Sequence, residues 1–321
     1  SIGAELCRQI AAVGPKELVL YEQGEYNLYA IQEELEESFP ELELRCILGD
    51  ICDSVLVTHV FKKYSPSAVF HAAAYKHVPL LEGQVREAVK NNILGTKNIV
   101  DAAINFKAES FLLISTDKAV NPSSLMGACK RTAEMYCQAV ADKTKTRVLT
   151  VRFGNVLGSA GSVVPKFIQQ IKKGGPITVT DPEMTRYFMT ITEACQLILQ
   201  ASAIGEDGRI YVLDMGEPVK VAYLAEQLIK LHGKTPGVDI EITYTGLRPG
   251  EKLEEELFYA DERLTGTDIE KLLLAASRNI NEEEVLGVIS KLLAQVCEAD
   301  AVVESKDLCV VLNHLVPEYT S

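Results

Sequence analysis

No stretch of about 18 apolar residues runs through this chain, so none of its segments reads as a membrane-spanning helix. No charged-then-apolar leader opens it, and no two of its eight cysteines stand in C-x-x-C spacing. The nearest pairs, Cys46/Cys52 and Cys129/Cys137, do not match a zinc or redox motif, and no metal site is expected. Scattered thiols of this kind read as reduced and mostly buried, in a cytoplasmic protein. Basic residues are in short supply too: 32 Lys and Arg stand against 45 Asp and Glu, a formal net charge of -13. That balance excludes non-specific nucleic-acid binding, which needs clustered cations, but leaves room for a local basic pocket around a small phosphate. Internal repeats and low-complexity segments are absent as well.

What is present is an alternating rhythm. Leu18-Val19-Leu20, Cys46-Ile47-Leu48, Ala68-Val69-Phe70, Phe111 to Ile114 and Val148 to Val151 are short apolar runs that read as buried parallel strands. Amphipathic stretches near 4–13, 27–38, 54–63, 84–106 and 124–142 lie between them, long enough for right-handed crossovers. The fold class predicted is α/β, a Rossmann-type doubly wound parallel sheet with a smaller C-terminal substrate lobe. Residues 1–153 form the dinucleotide-type domain and 154–260 the lobe; 261–321 is a helical tail for packing or oligomerisation.

A Rossmann site places a glycine-rich turn between its first strand and first helix, so that backbone amides approach a pyrophosphate. Here Ser1-Ile2-Gly3 stands where the last third of such a loop would run into its helix. The expectation is therefore a fragment whose upstream strand and remaining glycines lie outside this sequence. Glu22 follows about 20 residues on, where a carboxylate accepts from ribose hydroxyls and repels a 2′-phosphate, favouring NAD over NADP. An ordinary strand-end carboxylate is the alternative. Asp50-Ile51 suits an adenine edge, although Gly49-Asp50 is equally good turn chemistry. Ala72-Ala73-Ala74 at a strand end leaves room for a flat ligand or for a tight helix contact. His71 reads as a structural histidine, whereas Lys76 and His77 beyond the strand are candidates for a substrate pocket.

Ser115-Thr116-Asp117-Lys118 closes the next strand, and Lys130 follows on a helix, a reductase arrangement in which Lys130 reaches the nicotinamide ribose. Asp117 and Lys118 add a second proton-transfer pair. The stretches His71 to Pro79, Asn92-Ile93-Leu94-Gly95-Thr96, Ser115 to Lys130, Arg152 to Gly158, Met184 to Met189 and Leu247-Arg248-Pro249-Gly250-Glu251-Lys252 together resemble the bacterial polysaccharide-biosynthesis UDP-N-acetylglucosamine 4,6-dehydratases, extended short-chain dehydrogenase/reductases. The resemblance runs from residue 1 to about 260.

What the resemblance implies is bound NAD as a recycled hydride carrier and a UDP-N-acetylhexosamine substrate. Carbon 4 is oxidised, water leaves across carbons 5 and 6, and hydride returns to carbon 6. By position Asp117 is the acid at the carbon 6 hydroxyl, Lys118 the base at carbon 5, and Thr116 the hydrogen-bond partner of the carbon 4 oxygen. Asn92 belongs to the cofactor side. Lys118 works as a base only if burial or a nearby cation, such as Lys130, lowers its pKa. The family's usual Tyr-x-x-x-Lys stands here as Met126 to Lys130, and methionine accepts no proton; the chain resembles a branch that carries Met there, with Asp117 as an alternative route. Asn155 and residues 158–164 face sugar and diphosphate, while Arg186, Arg248 and Glu251 close on UDP. Taken singly, each arginine also reads as a surface ion pair.

Two other functions remain open at this level: a UDP-hexosamine 4-epimerase of the same fold, and a non-catalytic nucleotide-sugar or NAD binder. The expected assembly is a homo-oligomer, with membrane attachment, at the cytoplasmic face, only through an upstream segment.

Overall fold

The computed structural model describes residues 1–276, 278–297 and 305–319. The first half is a run of strand–helix units in the predicted order. Helix α1 (Ile2–Ala12) precedes strand β1 (Glu17–Glu22), α2 (Glu25–Ser38), β2 (Glu43–Leu48), α3 (Ser54–Tyr64) and β3 (Ala68–His71). Then come α4 (Val78–Leu81), α5 (Val85–Val89), α6 (Thr96–Asn105), β4 (Ser110–Ile114), α7 (Leu125–Ala141) and β5 (Arg147–Arg152). β3, β4 and β5 are parallel neighbours. Along β4, Phe111 and Leu113 point into one core while Leu112 points into the other, the two-residue alternation of a sheet buried on both faces. The α/β, Rossmann-type doubly wound fold holds.

β1 and β2 pair in parallel as a sheet of their own, while β3 forms one edge of a six-stranded sheet. Residues of β1 and of β3 line one and the same cavity.

Two features depart from the sequence reading. The single helix expected over 84–106 is interrupted by a π-helical turn, Lys90–Gly95. Wider turns of this kind recur at functional sites. This one swings Asn92 inward, where its amide accepts from the Tyr75 N–H at 2.8 Å and donates to the Tyr75 carbonyl at 2.9 Å.

The boundaries at 153 and 260 do not separate two bodies. Strand Ile210–Leu213, inside the expected lobe, pairs in parallel with β5, and Leu272–Ala275, inside the expected tail, pairs antiparallel with that strand. The lobe proper is the smaller core in which Phe167, Ile177, Met184, Val221 and Ile229 meet. The end of the chain is helical and packs, one of the two roles expected of it. Helices Glu282–Cys297 and Ser305–Leu315 pack Val285, Ile289, Leu292, Leu308 and Leu312 into the core shared with Val89, Ile93 and Cys129. Their apolar residues recur every three to four positions, which puts them on one helical face.

Candidate active site

Strand β4 ends against β5, whose ladder continues one step further through Asp117 N–H donating to the Phe153 carbonyl at 3.0 Å. A 3₁₀ turn, Asp117–Ala119, then brings Thr116, Asp117 and Lys118 to the mouth of the parallel sheet, where open α/β folds hold ligands. α7 starts directly beneath: Ser124 caps the Gly127 N–H, and the Lys118 carbonyl passes so close to Gly127 that a Cβ there would collide with it. This contact fixes the helix that carries Met126 and Lys130 against the turn that carries Asp117.

The cluster is tightly wired. Thr116 Oγ1 donates to Asp117 Oδ1 at 2.7 Å, and Lys118 Nζ donates to the same oxygen at 2.9 Å. Lys118 also lies 3.4 Å from Asn155 Oδ1 and 3.5 Å from Glu255 Oε1. Asp117 is fully buried, and it is absent from the cavity wall that Thr116, Lys118, Met126, Asn155 and Glu255 form. Asp117 Oδ2, beneath Gly154, and Glu255 Oε2 are buried and find no hydrogen-bond partner among the described residues. Burial opposes the Lys118 charge, but Asp117 and then Glu255 more than offset it and hold the ammonium above the usual lysine range. The expected base at carbon 5 therefore rests protonated; Lys130 does not lower it. Burial raises the Glu255 carboxyl, and Asp117 adds to that, against the pull of Lys118 and Arg186.

Lys130 is buried with its ammonium 2.6 Å from the Ile114 carbonyl, and burial lowers its pKa to about 8. His71 behaves as the structural histidine it reads as: its Nε2 meets Thr96 Oγ1 at 2.9 Å, and burial, then Lys130, lower its pKa to about 3.

On the cofactor side Ser1, Ile2, Gly3, Glu22, Ile51, Ala72, Ala73 and Ala74 all line the cavity. Gly3 faces open space, so a Cβ would fill the cradle at the start of α1, and Ala73 and Ala74 are exposed to the cavity. These residues fit a flat dinucleotide. Two expected contacts do not reach it. Asn92 is fully buried with its amide on the Tyr75 backbone, and Asp50, which accepts from the Cys52 N–H at 2.8 Å, is likewise off the cavity wall.

On the substrate side Lys76, His77, Asn155, Arg186, Arg248 and Glu251 line the same cavity, of about 2030 Å³. Arg186 is not a bare phosphate clamp. It donates to the carbonyls of Thr185, Lys252 and Leu253, which uses three of its five donors to staple a strap over the site. Arg248 and Glu251 pair with each other at the rim, beside Lys166, which the sequence reading missed. Lys76 Nζ donates to the Ala160 carbonyl at 2.9 Å, while Gly161, at a positive φ of 70°, sits against the His77 ring where a Cβ would come within 2.7 Å.

The strap also escaped the sequence reading. Lys252 Nζ donates to the Val120 carbonyl at 3.0 Å, and the Tyr259 hydroxyl to the Ala119 carbonyl at 3.0 Å, which lowers Glu255 onto Lys118. Behind the site Glu134 accepts from Ser115 Oγ at 2.6 Å and from Arg152 at 2.7 and 2.8 Å, and Arg152 also binds Glu262.

A family model described as "Polysaccharide biosynthesis protein" matches residues 1–277, and the chain belongs to that family. Capsular polysaccharide biosynthesis protein CapD of Staphylococcus aureus is 51% identical over 264 residues, 82% of this chain and 44% of CapD. The chain thus spans less than half the length of that relative. A UDP-glucose 4-epimerase of Rickettsia massiliae is 34% identical over 79% of the chain and 72% of its own length. Among solved structures, Pen from Bacillus thuringiensis superposes with a TM-score of 0.78 at 32% identity, covering 90% of this chain and 94% of that one. Among the described residues no helix is long and apolar enough to cross a membrane, and no group of His, Cys, Asp or Glu is arranged to hold a metal.

Proposed function

We propose that this chain carries the catalytic unit of a UDP-N-acetylglucosamine 4,6-dehydratase, yielding a UDP-2-acetamido-2,6-dideoxy-4-keto sugar for surface-polysaccharide synthesis. The observation that carries this is the Thr116–Asp117–Lys118 cluster with a second carboxylate, Glu255, on the far side of Lys118. Interconverting an alcohol and a ketone at carbon 4 needs one proton acceptor. Losing water across carbons 5 and 6 needs a further acid and base, and Lys118 between two carboxylates supports that reading.

NAD, when bound, supplies a reversible hydride acceptor; Glu22 on the cavity wall favours it over NADP by repelling a 2′-phosphate. Lys130, fixed by the Ile114 carbonyl, would hold the nicotinamide ribose, and its position on the cavity wall supports that reading. Met126 takes no proton, so the carbon 4 hydroxyl proton passes to Thr116 Oγ1 and on to Asp117 Oδ1, 2.7 Å behind it. This gives Asp117 a different place from the carbon 6 acid expected from sequence, because it reaches the sugar only through its neighbours. The new ketone acidifies the carbon 5 hydrogen, and Lys118, facing the cavity, serves that end of the sugar.

The epimerase reading draws support from the Rickettsia relative, and the product separates the two. Full-length protein incubated with UDP-N-acetylglucosamine in deuterated water is expected to form a methyl group at carbon 6 and deuterium at carbon 5. Recovery of a sugar that keeps its carbon 6 hydroxyl, inverted at carbon 4, would sink the dehydratase assignment in favour of the epimerase.

A further inference from the structure

Glu255 has no role so far, and its setting is hard to explain as scaffold. It is 7% exposed and lines the cavity; one of its oxygens lies 3.5 Å from Lys118 and 3.8 Å from Arg186, and the other is buried without a partner among the described residues. A carboxylate kept only for structure normally has its oxygens satisfied. Resting on the dehydratase reading, we propose that Glu255 is the acid for the carbon 6 hydroxyl, loaded with a proton by Lys118 once Asp117 has been neutralised.

The order of events follows from charge. At rest Lys118 is a cation between two carboxylates. When hydride leaves carbon 4, the hydroxyl proton reaches Asp117 through Thr116 and cancels the negative charge 2.9 Å from Lys118. Removing a counter-charge at that distance from a buried ammonium lowers its pKa. Burial independently favours the neutral form of Glu255. The Lys118 N–H bond then breaks as the Glu255 O–H bond forms, leaving a neutral amine and a neutral acid, both on the cavity wall. The amine takes the carbon 5 proton, the C–H electron pair becomes the carbon 5–carbon 6 double bond, and the carbon 6–oxygen bond breaks. The Glu255 proton departs with that oxygen as water. When hydride returns to carbon 6, the Lys118 ammonium gives a proton to carbon 5, and Asp117 passes its own proton to Lys118. Every group is back where it began. The oxidation thus arms the elimination through one charge.

Glu255→Gln in the NAD-loaded full-length protein tests this. Oxidation at carbon 4, read by trapping the 4-ketone with hydroxylamine, is expected to stay within about threefold of wild type. Deuterium exchange at carbon 5 and release of water are expected to fall together by about 100-fold or more. Formate added to Glu255→Ala should restore part of the water loss, a signature that a purely structural role does not give. If Glu255→Gln does not fold, Glu255→Asp carries the same split between the two steps. Elimination at the wild-type rate in the variant, or an equal loss of both steps, overturns the proposal. A wild-type protein that releases no water from the sugar instead defeats the dehydratase reading beneath it.

Discussion

Two carboxylate–cation clusters lie close together in this molecule and differ in one respect. In the first, Glu134 and Glu262 hold Arg152 between them, all at 5% exposure or less, with both Glu134 oxygens and both Glu262 oxygens engaged. In the second, Asp117 and Glu255 hold Lys118, and each carboxylate keeps one buried oxygen without a partner among the described residues. Satisfied buried charges make a rigid frame. Unsatisfied ones around a lysine that lines a cavity are a cost that the fold carries for another reason, and catalysis is the usual one. Ser115 joins the two, since its hydroxyl binds Glu134 while the next residues enter the reactive cluster. The frame thereby sets where Thr116 and Asp117 stand.

Asp117→Asn should separate the clusters most sharply. Turnover is expected to fall by about 10⁴-fold, about 5 kcal/mol of transition-state stabilisation, since both the Thr116 relay and the switch on Lys118 are lost. The unfolding midpoint should barely move, because an under-bonded carboxylate is being replaced and Lys118 keeps Glu255. Calorimetry and initial rates on the same samples check this; a large loss of stability with activity retained would reverse the roles assigned to the two clusters.

Arg152→Met is the mirror experiment and ranks next. It takes the shared guanidinium from two buried carboxylates, leaving Glu134 with Arg131 and Ser115 and Glu262 with the Tyr259 N–H, and breaking a buried pair costs about 3–5 kcal/mol. Urea titration should show this as a drop in midpoint at unchanged slope. Where the variant is still folded in dilute buffer, turnover should fall only to the extent that Ser115 shifts Thr116. A variant as stable as wild type would show that the Glu134–Arg152–Glu262 cluster is not the frame.

The two clusters were also unequally legible in the sequence. β1 to β5 and their helices could be read because apolar runs of strand length alternate with helical periodicity, and Ser115 to Lys130 stood out because a strand end and a helix lysine fall in reductase order. Glu255 was hidden inside Glu254-Glu255-Glu256, a run that reads as a solvated face. The signal that was there is alternation: 255, 257 and 259 are buried while 254, 256 and 258 are exposed, the period of an extended strap with one face inward. Arg186 suggested a phosphate clamp, and no sequence spacing shows that its donors are taken by the carbonyls of Lys252 and Leu253. Asn92 escaped because its partner is backbone, which carries no side-chain signature. The end of the chain read as a helical tail for packing or oligomerisation, and its acidic opening, Glu282-Glu283-Glu284, hid that the apolar stripe that follows belongs to the main core.

Lys130 gives the smallest test, and it bears on the boundary between frame and chemistry. Its folded pKa is lowered to about 8 from the model-peptide value of 10.5, mainly by burial. Between those two values the unfolded chain binds this proton and the folded chain has released it. The Lys130 contribution to stability therefore rises with pH across that window, by at most about 1.4 kcal/mol per pH unit. Lys118 contributes nothing of this kind there, since its folded pKa is raised and its effect falls above the window. Buried thiols and phenols titrate nearby, so the quantity to measure is the urea midpoint of wild type minus that of Lys130→Met, from pH 8 to 10.5. A positive slope means that the fold pays to keep a desolvated ammonium below pH 8, as a site preparing that lysine for a ligand would. A flat difference would mean that Lys130 is already satisfied by the Ile114 carbonyl, and would move it from the reactive cluster into the frame.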